Sequence, residues 1–394
     1  MITSIRLVNF KNFADETLRV GPFTILVGAN ASGKSNIRDA FRFLSGIGRG
    51  YTLAEIMGGK YGADWKSIRG AMNEIVRFGR YSFSIEVGGD LSGREFRYSI
   101  TVSHGPLEFG EFRVTQEELT VESTPIYTAS QASGGLQVEG KGSTVFHLSS
   151  KPILAHTPES DSVAVCSLLA NIRFLELLPE RMREPAAPGA TRLGDNGENL
   201  PVVLQKICAD PKRKEILAGW IAELTPMDVE GFEFPRDPSG RVYLVICEKD
   251  GREVSAYSAS DGTLRFLATL AVLLGDDPHG LYFFEEIDTG IHPARQWLLL
   301  ELIEKQATKR DIQVITTSHS PDFLTFINDS TFEDMSVVCR LEDSQDAIIR
   351  QVAELPNAKK LRTSQGGLGR LLASRWMETA LAFTEDYDEA EDDL

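Results

Sequence analysis

Eight consecutive residues, Gly28-Ala29-Asn30-Ala31-Ser32-Gly33-Lys34-Ser35, fit the pattern G-x-x-x-x-G-K-[ST] in full and narrow the possible folds of this chain. The apolar run Phe23-Thr24-Ile25-Leu26-Val27 precedes them and is short enough for a buried strand. Apolar residues follow at helical spacing, namely Ile37, Ala40, Phe41 and Leu44. A strand, a glycine-rich loop and a helix in this order predict a P-loop, whose backbone N–H groups and helix N-terminus surround a phosphate.

The residue types in this loop suit a chain of phosphates and its metal ion. Lys34 supplies a mobile ammonium for the β- and γ-phosphates, and the Ser35 hydroxyl is suited to holding Mg²⁺. The predicted nucleotide-binding residues of this region are Gly28, Asn30, Ser32, Gly33, Lys34, Ser35 and Asn36. The alternative is a glycine-rich turn with an incidental lysine, and the strand-to-helix context argues against it.

Two carboxylates, Glu285 and Glu286, follow the apolar run Leu281-Tyr282-Phe283-Phe284. The carboxyl ends of buried parallel strands are where α/β sheets place their ligands. We predict that Glu285 organises Mg²⁺ and that Glu286 polarises an attacking water. Asp is the usual residue on the metal side, so Glu285 places its carboxylate one methylene further away. A strand end that simply meets solvent is the alternative.

Two further motifs suit a γ-phosphate. Ser260-Asp261-Gly262-Thr263 leads into an apolar helix, where Ser260 is a good N-cap and the helix N-terminus, with the Gly262 backbone, is suited to binding phosphate. His319 follows the apolar run Ile312-Gln313-Val314-Ile315 at the end of a predicted parallel strand. We predict that its imidazole hydrogen-bonds the γ-phosphate or the attacking water, the alternative being a structural histidine.

Composition limits the classes of partner and compartment. The 394-residue chain has a net charge of −16, which excludes a uniformly basic surface for nucleic acid but leaves room for a local basic cleft. Its four cysteines form no C-x-x-C pair, so zinc sites are not indicated and reduced thiols in the cytoplasm are expected. Because neither a secretion signal nor a run of about 20 apolar residues is present, we expect no membrane association.

Periodicity divides the chain into five predicted segments. They are the N-terminal part of an α/β core with the P-loop (1–80), an antiparallel β lobe with a period of two (81–150), a helical lobe (151–235), the C-terminal part of the core (236–383) and an acidic tail (384–394). The tail holds seven acids and no base, which predicts a solvated, disordered segment. One strand is predicted over residues 2–13, and helices over 163–182, 200–209 and 212–224.

Taken in order, these motifs resemble the ABC-class nucleotide-binding head of the RecF, SMC and Rad50, and OLD families. The opening Ile5-Arg6-Leu7-Val8-Asn9-Phe10-Lys11-Asn12-Phe13 resembles their first strand, and the P-loop is their Walker A motif. The other matching elements are the signature turn (Ser260-Asp261-Gly262-Thr263), the Walker B end (Glu285-Glu286), the D-loop (Asp288-Thr289-Gly290-Ile291-His292-Pro293) and the switch histidine (His319). Arg192-Leu193-Gly194-Asp195-Asn196-Gly197-Glu198-Asn199-Leu200 resembles a segment of standalone prokaryotic members.

The resemblance implies an α/β fold: an ABC-class P-loop ATPase head with a mixed or parallel sheet core, an antiparallel β lobe, a helical lobe and no long coiled coil. It also implies ATPase activity with ATP and Mg²⁺, and catalytic roles for Glu286 and His319. In this class each nucleotide lies between the P-loop of one subunit and the signature turn of another, which implies a homodimer or a higher oligomer. A glutamine linking the lobes is not identifiable between Tyr51 and Phe78.

Standalone heads of this kind resemble the ATPase subunits of prokaryotic antiphage modules such as Septu, PARIS and retron-linked systems, which implies a separately encoded nuclease or toxin as effector. The first hypothesis is therefore an ATP-dependent switch that senses or acts on DNA and controls that effector. Its candidate basic groove comprises Arg173, Arg181, Arg183 and Arg192, with a solvated helical face as the alternative. The other hypotheses are a RecF-like DNA repair ATPase and an ATP-dependent assembly scaffold with little turnover.

Overall fold

The structure is a computed structural model that describes residues 1–58, 65–70, 74–105, 111–133, 135–140, 143–224, 228–275, 280–340, 344–363, 367–374, 376–377 and 379–381. The chain divides into two units, each with its own sheet and helices. The first unit comprises Met1–Ile172 with Asn328–Leu394, and the second comprises Arg173–Ile327. The predicted acidic tail, residues 384–394, lies outside the described residues.

The strands are β1 (Ile2–Phe10), β2 (Phe13–Arg19), β3 (Phe23–Val27), β4 (Ser82–Leu91), β5 (Arg94–His104), β6 (Phe112–Val121), β7 (Thr124–Ala132), β8 (Gly135–Gly140), β9 (Ser143–His147), β10 (Arg173–Leu175), β11 (Val229–Glu233), β12 (Val245–Glu248), β13 (Glu253–Ser255), β14 (Leu281–Phe284), β15 (Gln313–Thr317), β16 (Ser336–Arg340) and β17 (Ala347–Gln351).

The helices are α1 (Lys34–Gly48), α2 (Leu53–Gly58), α3 (Ser160–Ala170), α4 (Pro179–Met182), α5 (Leu200–Cys208), α6 (Pro211–Leu224), α7 (Asp261–Leu274), α8 (Gln296–Arg310), α9 (Pro321–Thr325), α10 (Asp329–Glu333), α11 (Ala358–Thr363) and α12 (Gly367–Ala373).

An antiparallel sheet forms much of the first unit, with the strand order β2-β1-β4-β5-β6-β7-β8-β9. β4 pairs with β5 along its whole length. Buried and partly exposed residues alternate along β4, and Phe83, Ile85 and Val87 form its buried side. The period of two in this part of the sequence thus reflects a sheet with one face in the core.

The single strand predicted over residues 2–13 was wrong, because the structure has a hairpin there. β1 ends at Phe10 and β2 begins at Phe13, and these two residues lie opposite each other. Lys11 takes a left-handed backbone conformation, with φ of 52°, where the chain reverses. Both phenylalanines are fully buried, so the apolar spacing continues through the turn and hides the reversal.

The strand that leads into the P-loop, β3, is buried at every residue. It pairs in parallel with β16, where Leu26 and Val27 lie opposite Ser336 and Val337. β16 in turn pairs antiparallel with β17. The first unit therefore contains a mixed set of strands in addition to its antiparallel sheet, and β3 is held in its core.

Parallel strands in the order β10-β14-β15 form the core of the second unit. The helix predicted over residues 163–182 was wrong in its second half, because α3 ends at Ala170 and β10 begins at Arg173. Phe174 of β10 stacks on Phe283 of β14, with ring centroids 6.4 Å apart. A contact between strands so distant in sequence is invisible to helical spacing, which explains the error.

The predicted α/β class is confirmed, with mixed and parallel core strands, an antiparallel lobe and a helical region. The helices predicted over residues 200–209 and 212–224 are present as α5 and α6, and both contact α7. Within the described ranges the longest helices, α1 and α8, have 15 residues each, too short for a coiled-coil arm. In the same ranges, no helix has both the length and the apolar character that a bilayer span requires.

One buried carboxylate ties the antiparallel sheet to the segment that follows it. Glu117 of β6 is 1% exposed and accepts hydrogen bonds from the hydroxyls of Tyr98 and Tyr127, each at 3.0 Å. It also accepts from the backbone N–H groups of Ile153 at 2.7 Å and Leu154 at 2.9 Å. Burial raises the pKa of this carboxyl, whereas the two backbone N–H groups lower it. One side chain therefore accepts hydrogen bonds from four donors.

We expect Glu117→Ala to lower the free energy of unfolding by at least about 3 kcal/mol, because it leaves buried donors without an acceptor. Glu118→Ala, on the partly exposed side of the same strand, is the matched control and should change it by less than about 0.5 kcal/mol. Urea denaturation followed by circular dichroism measures both. Equal effects of the two variants would show that the Glu117 hydrogen bonds do not stabilise the sheet.

Candidate functional site

The P-loop of the first unit depends on glycine at both ends. Gly28 has φ of 140° and Gly33 has φ of 118°, values that side chains disfavour. A Cβ on Gly28 would lie 2.0 Å from the carbonyl oxygen of Val338 on β16. A Cβ on Gly33 would lie 2.9 Å from Nδ2 of Asn12. The loop is thus packed against backbone on one side and a side chain on the other, and larger residues do not fit.

The interior of this loop has the donors that a phosphate requires. Lys34 is the first residue of α1 and is 7% exposed, and its Nζ donates to the carbonyls of Gly28 and Ala29, each at 2.7 Å. Oγ of Ser32 is buried and has no hydrogen-bond partner among the described residues. A buried hydroxyl without a partner, an ammonium and a helix N-terminus converge here, so the loop fits a phosphate group.

The other predicted residues of the loop differ in exposure. Asn30 is exposed at the tip of the loop, and Ser35 and Asn36 are half-buried in the first turn of α1. Nδ2 of Asn36 donates to Oδ1 of Asn12 at 2.7 Å, and Nδ2 of Asn12 lies 3.4 Å from the carbonyl oxygen of Ser32. Asn12, at the β1–β2 turn, therefore buttresses the loop, a role that the sequence analysis missed.

An ion-pair cluster anchors the same turn to α1. Lys11 donates to Oδ2 of the fully buried Asp39 at 2.5 Å, and Arg69 donates to the same oxygen at 3.1 Å. Burial lowers the pKa of Lys11, and the neighbouring Asp39 carboxylate acts in the opposite direction. The polar pair Lys11-Asn12 between two buried phenylalanines is the sequence signal that could have revealed this turn.

In the second unit, β14 delivers the predicted acids to its carboxyl end. Glu285 is half-buried, and Glu286 is exposed with a left-handed φ of 46°. The N–H of Glu286 donates to Oγ1 of Thr317 at 3.1 Å, and its Oε2 accepts from Oγ1 of Thr289 at 3.1 Å. A left-handed backbone costs such a residue about 1 kcal/mol or more, and strain of this kind is concentrated at functional sites.

The predicted histidine lies at the same edge of this sheet. β14 and β15 are parallel, with Phe284 opposite Thr316, so the residues after both strands emerge side by side. His319 is exposed two residues after β15 ends. The acidic pair and the segment that carries His319 therefore lie at one edge of the sheet. Thr317 links them, because its Oγ1 accepts from the N–H of Glu286.

The signature turn of the second unit begins a helix and packs closely on the D-loop. Ser260 is the N-cap of α7, since its Oγ accepts from the N–H of Thr263 at 3.1 Å, so the N-cap assignment is confirmed. A Cβ on Gly262 would lie 2.0 Å from the carbonyl oxygen of Gly290. Gly262 thus has a steric reason to be glycine, apart from any contact with phosphate.

Two of the four arginines proposed as a basic groove are engaged elsewhere in this unit. Arg173 donates to Oδ1 of Asp195 at 2.8 Å and to the carbonyl of Leu193 at 2.5 Å. Arg183 donates to Oδ1 of Asp261 at 2.6 Å and to the carbonyl of Ala259 at 3.0 Å, beside the signature turn. These two arginines serve local structure, which weakens the proposed groove.

Comparison with protein-family models matches the chain to the family described as "AAA domain, putative AbiEii toxin, Type IV TA system" over residues 23–165 and 229–325. The matched segments make up more than half of the chain and contain the P-loop, the signature turn, the acidic pair and His319. Comparison with curated proteins gives no match.

Solved structures of SMC heads are among those similar to this chain. The SMC head domain from Thermotoga maritima is 15% identical, with a TM-score of 0.44, over 89% of this chain and 98% of that chain. An SMC head bound to the C-terminal winged-helix domain of ScpA is 16% identical, with a TM-score of 0.48, over 89% and 96%. A head with an extended coiled coil, bound to the C-terminal domain of ScpA derived from Pyrococcus furiosus, is 14% identical, with a TM-score of 0.46, over 89% and 95%.

Because Gly262 approaches Gly290 so closely, we expect Gly262→Ala to lower the free energy of unfolding by about 1–3 kcal/mol. Gly219→Ala on α6 is the matched control, since a Cβ there meets nothing within 4 Å. That variant should leave stability unchanged or raise it by up to about 1 kcal/mol. Denaturant titration of both proteins tests the contact, and an unchanged midpoint for Gly262→Ala would contradict it.

Proposed function

The chain belongs to the family described as "AAA domain, putative AbiEii toxin, Type IV TA system", and from this premise we propose that it binds and hydrolyses ATP as a dimeric switch controlling a separate effector. The observation that carries the proposal is the P-loop, where Lys34 lies beside the N-terminus of α1 together with the Ser32 hydroxyl, which has no hydrogen-bond partner in the described part of the chain. The strained backbone of Glu286, held by Thr317, supports hydrolysis as well as binding.

Each motif has a role in the proposed reaction. Lys34 and the loop backbone bind the β- and γ-phosphates, and Glu286 orients the attacking water and accepts its proton. His319 hydrogen-bonds the γ-phosphate. Ser35 and Glu285 are the residues that would hold Mg²⁺, which neutralises charge on the phosphates. The left-handed backbone at Glu286 sets the direction in which its carboxylate leaves β14, so its position does not depend on the side-chain rotamer alone.

The signature turn is proposed to act on nucleotide bound by a second copy. Ser260 and Asp261 are exposed at the N-terminus of α7, a 14-residue helix whose dipole favours an anion there. Binding of the γ-phosphate of a second copy by Ser260 and the Gly262 backbone would join two chains while ATP is present. Hydrolysis would then separate the two chains, so the joined and the separated chains would be the two states of the switch.

A separately encoded effector and a role in antiphage defence complete the proposal. The family description names a toxin and a toxin–antitoxin system, which supports a two-component arrangement. DNA as the trigger has less support, because Arg173 and Arg183 are engaged in ion pairs. A DNA-binding surface would have to use other residues, and its affinity would fall with salt.

We expect Lys34→Ala to abolish measurable ATP binding, because the charge-assisted hydrogen bonds to phosphate are lost and Kd rises by roughly 100-fold or more. Isothermal titration with ATP and Mg²⁺ measures this change. Lys249→Ala removes a lysine that is exposed and paired with Asp228, and it should bind ATP like the wild type. Retained affinity in the Lys34 variant would refute the P-loop assignment.

Glu286→Gln is expected to bind ATP normally but to lower kcat by roughly 100-fold or more, since the amide cannot accept the proton of the water. An ATP-bound dimer should accumulate, which sedimentation velocity with and without ATP would detect. The control is Glu301→Gln, at an exposed carboxylate of α8 that pairs with Lys305. Unchanged turnover in the Glu286 variant would sink its catalytic assignment.

A further inference from the structure

Residues 288–296, which follow the Walker B end, hold the segment that carries His319. Asp288 is 7% exposed, and its Oδ2 accepts from Oγ of Ser318 at 3.0 Å. Ser318 is fully buried and directly precedes His319. Its Oγ also accepts from the N–H of Ser320 at 3.1 Å, so the single hydroxyl hydrogen is directed to Asp288. This is the first tether, on the N-terminal side of the histidine.

A second tether lies on the C-terminal side of His319. Gln296, the first residue of α8, is 4% exposed, and its Oε1 accepts from Oγ of Ser320 at 2.9 Å. Its Nε2 lies 3.4 Å from the carbonyl oxygen of Ile291, which fixes the orientation of the amide. Ser320 Oγ in addition caps α9 by accepting from the N–H of Phe323 at 3.3 Å. The amide of Gln296 thus links α8 to the start of α9.

We propose that Asp288 and Gln296 are positioning residues that fix the direction of His319 during ATP hydrolysis, an inference that rests on the proposed function. His319 is exposed, and the residues on both sides of it are tied by buried side chains of one segment. Two tethers flanking one residue restrict its backbone more strongly than either does alone. Because the loop that carries His319 is already ordered, the imidazole can contact the γ-phosphate without the entropy cost of ordering that loop.

A buried hydrogen bond also stabilises the fold, so the test must separate positioning from folding. In a double-mutant cycle, Asp288→Ala and Gln296→Leu are each combined with His319→Ala, and kcat and Kd for ATP are measured. Positioning predicts that each change lowers kcat by roughly 10- to 100-fold in the wild-type background while Kd stays within about two-fold. In the His319→Ala background the same changes should alter kcat by less than about two-fold.

Thr269→Val is the matched control, because it deletes a 2% exposed hydroxyl that donates to the carbonyl of Arg265 and lies in neither tether. It should leave kcat unchanged in both backgrounds. If the Asp288→Ala variant does not fold, Ser318→Ala takes its place in the double-mutant cycle. This change removes the same hydrogen bond with the loss of one non-hydrogen atom. Equal losses of kcat with and without His319, or no loss at all, would overturn the inference.

Wild-type turnover, and its loss in Lys34→Ala, are measured first. A wild-type protein that binds ATP but does not hydrolyse it would refute both the proposed function and this inference. A wild type that hydrolyses ATP, with equal losses in the two backgrounds, would refute the positioning roles of Asp288 and Gln296 and leave the ATPase function standing.

Discussion

The structure depends first on how β3 passes into α1. Buried on all sides, β3 ends at a loop whose two glycines have backbone angles that side chains disfavour. The carbonyl oxygen of Val338 on β16 leaves no room for a side chain at Gly28. Asn12 in the β1–β2 turn leaves no room for one at Gly33. Sequence-distant parts of the first unit thus define one loop. The β1–β2 hairpin and β16 therefore both limit which residues this loop can contain.

In the second unit, residues 288–296 contact several of the motifs in a comparable way. This segment contacts the signature turn through Gly290, the carboxylate of Glu286 through Thr289, and the residues flanking His319 through Asp288 and Gln296. A shift of residues 288–296 would therefore change the contacts made by all of these motifs. Such shared contacts give the proposed switch a physical means of linking the signature turn to hydrolysis, because packed elements adopt discrete arrangements.

Short sequence patterns predicted the elements that depend on residues close together in the chain. The strand and helix on either side of residues 28–33, the bounds of β14, and helices α5 and α6 follow from short apolar runs and spacing, and these predicted elements are present in the structure. The turn at Lys11 and the strand β10 were missed, because burial of Phe13 and the stacking of Phe174 on Phe283 depend on partners far along the chain. For the same reason no sequence pattern revealed the ties between Asp288 and Ser318 or between Gln296 and Ser320.

In the proposed dimer, the P-loop of one copy and the signature turn of the other act on one nucleotide. The most direct measurement is a crystal structure of Glu286→Gln with ATP and Mg²⁺. We expect a dimer in which the γ-phosphate contacts Lys34 of one copy and Ser260 of the other. Nucleotide bound outside residues 28–35, or phosphates held by Lys34 with no second copy supplying Ser260, would contradict it.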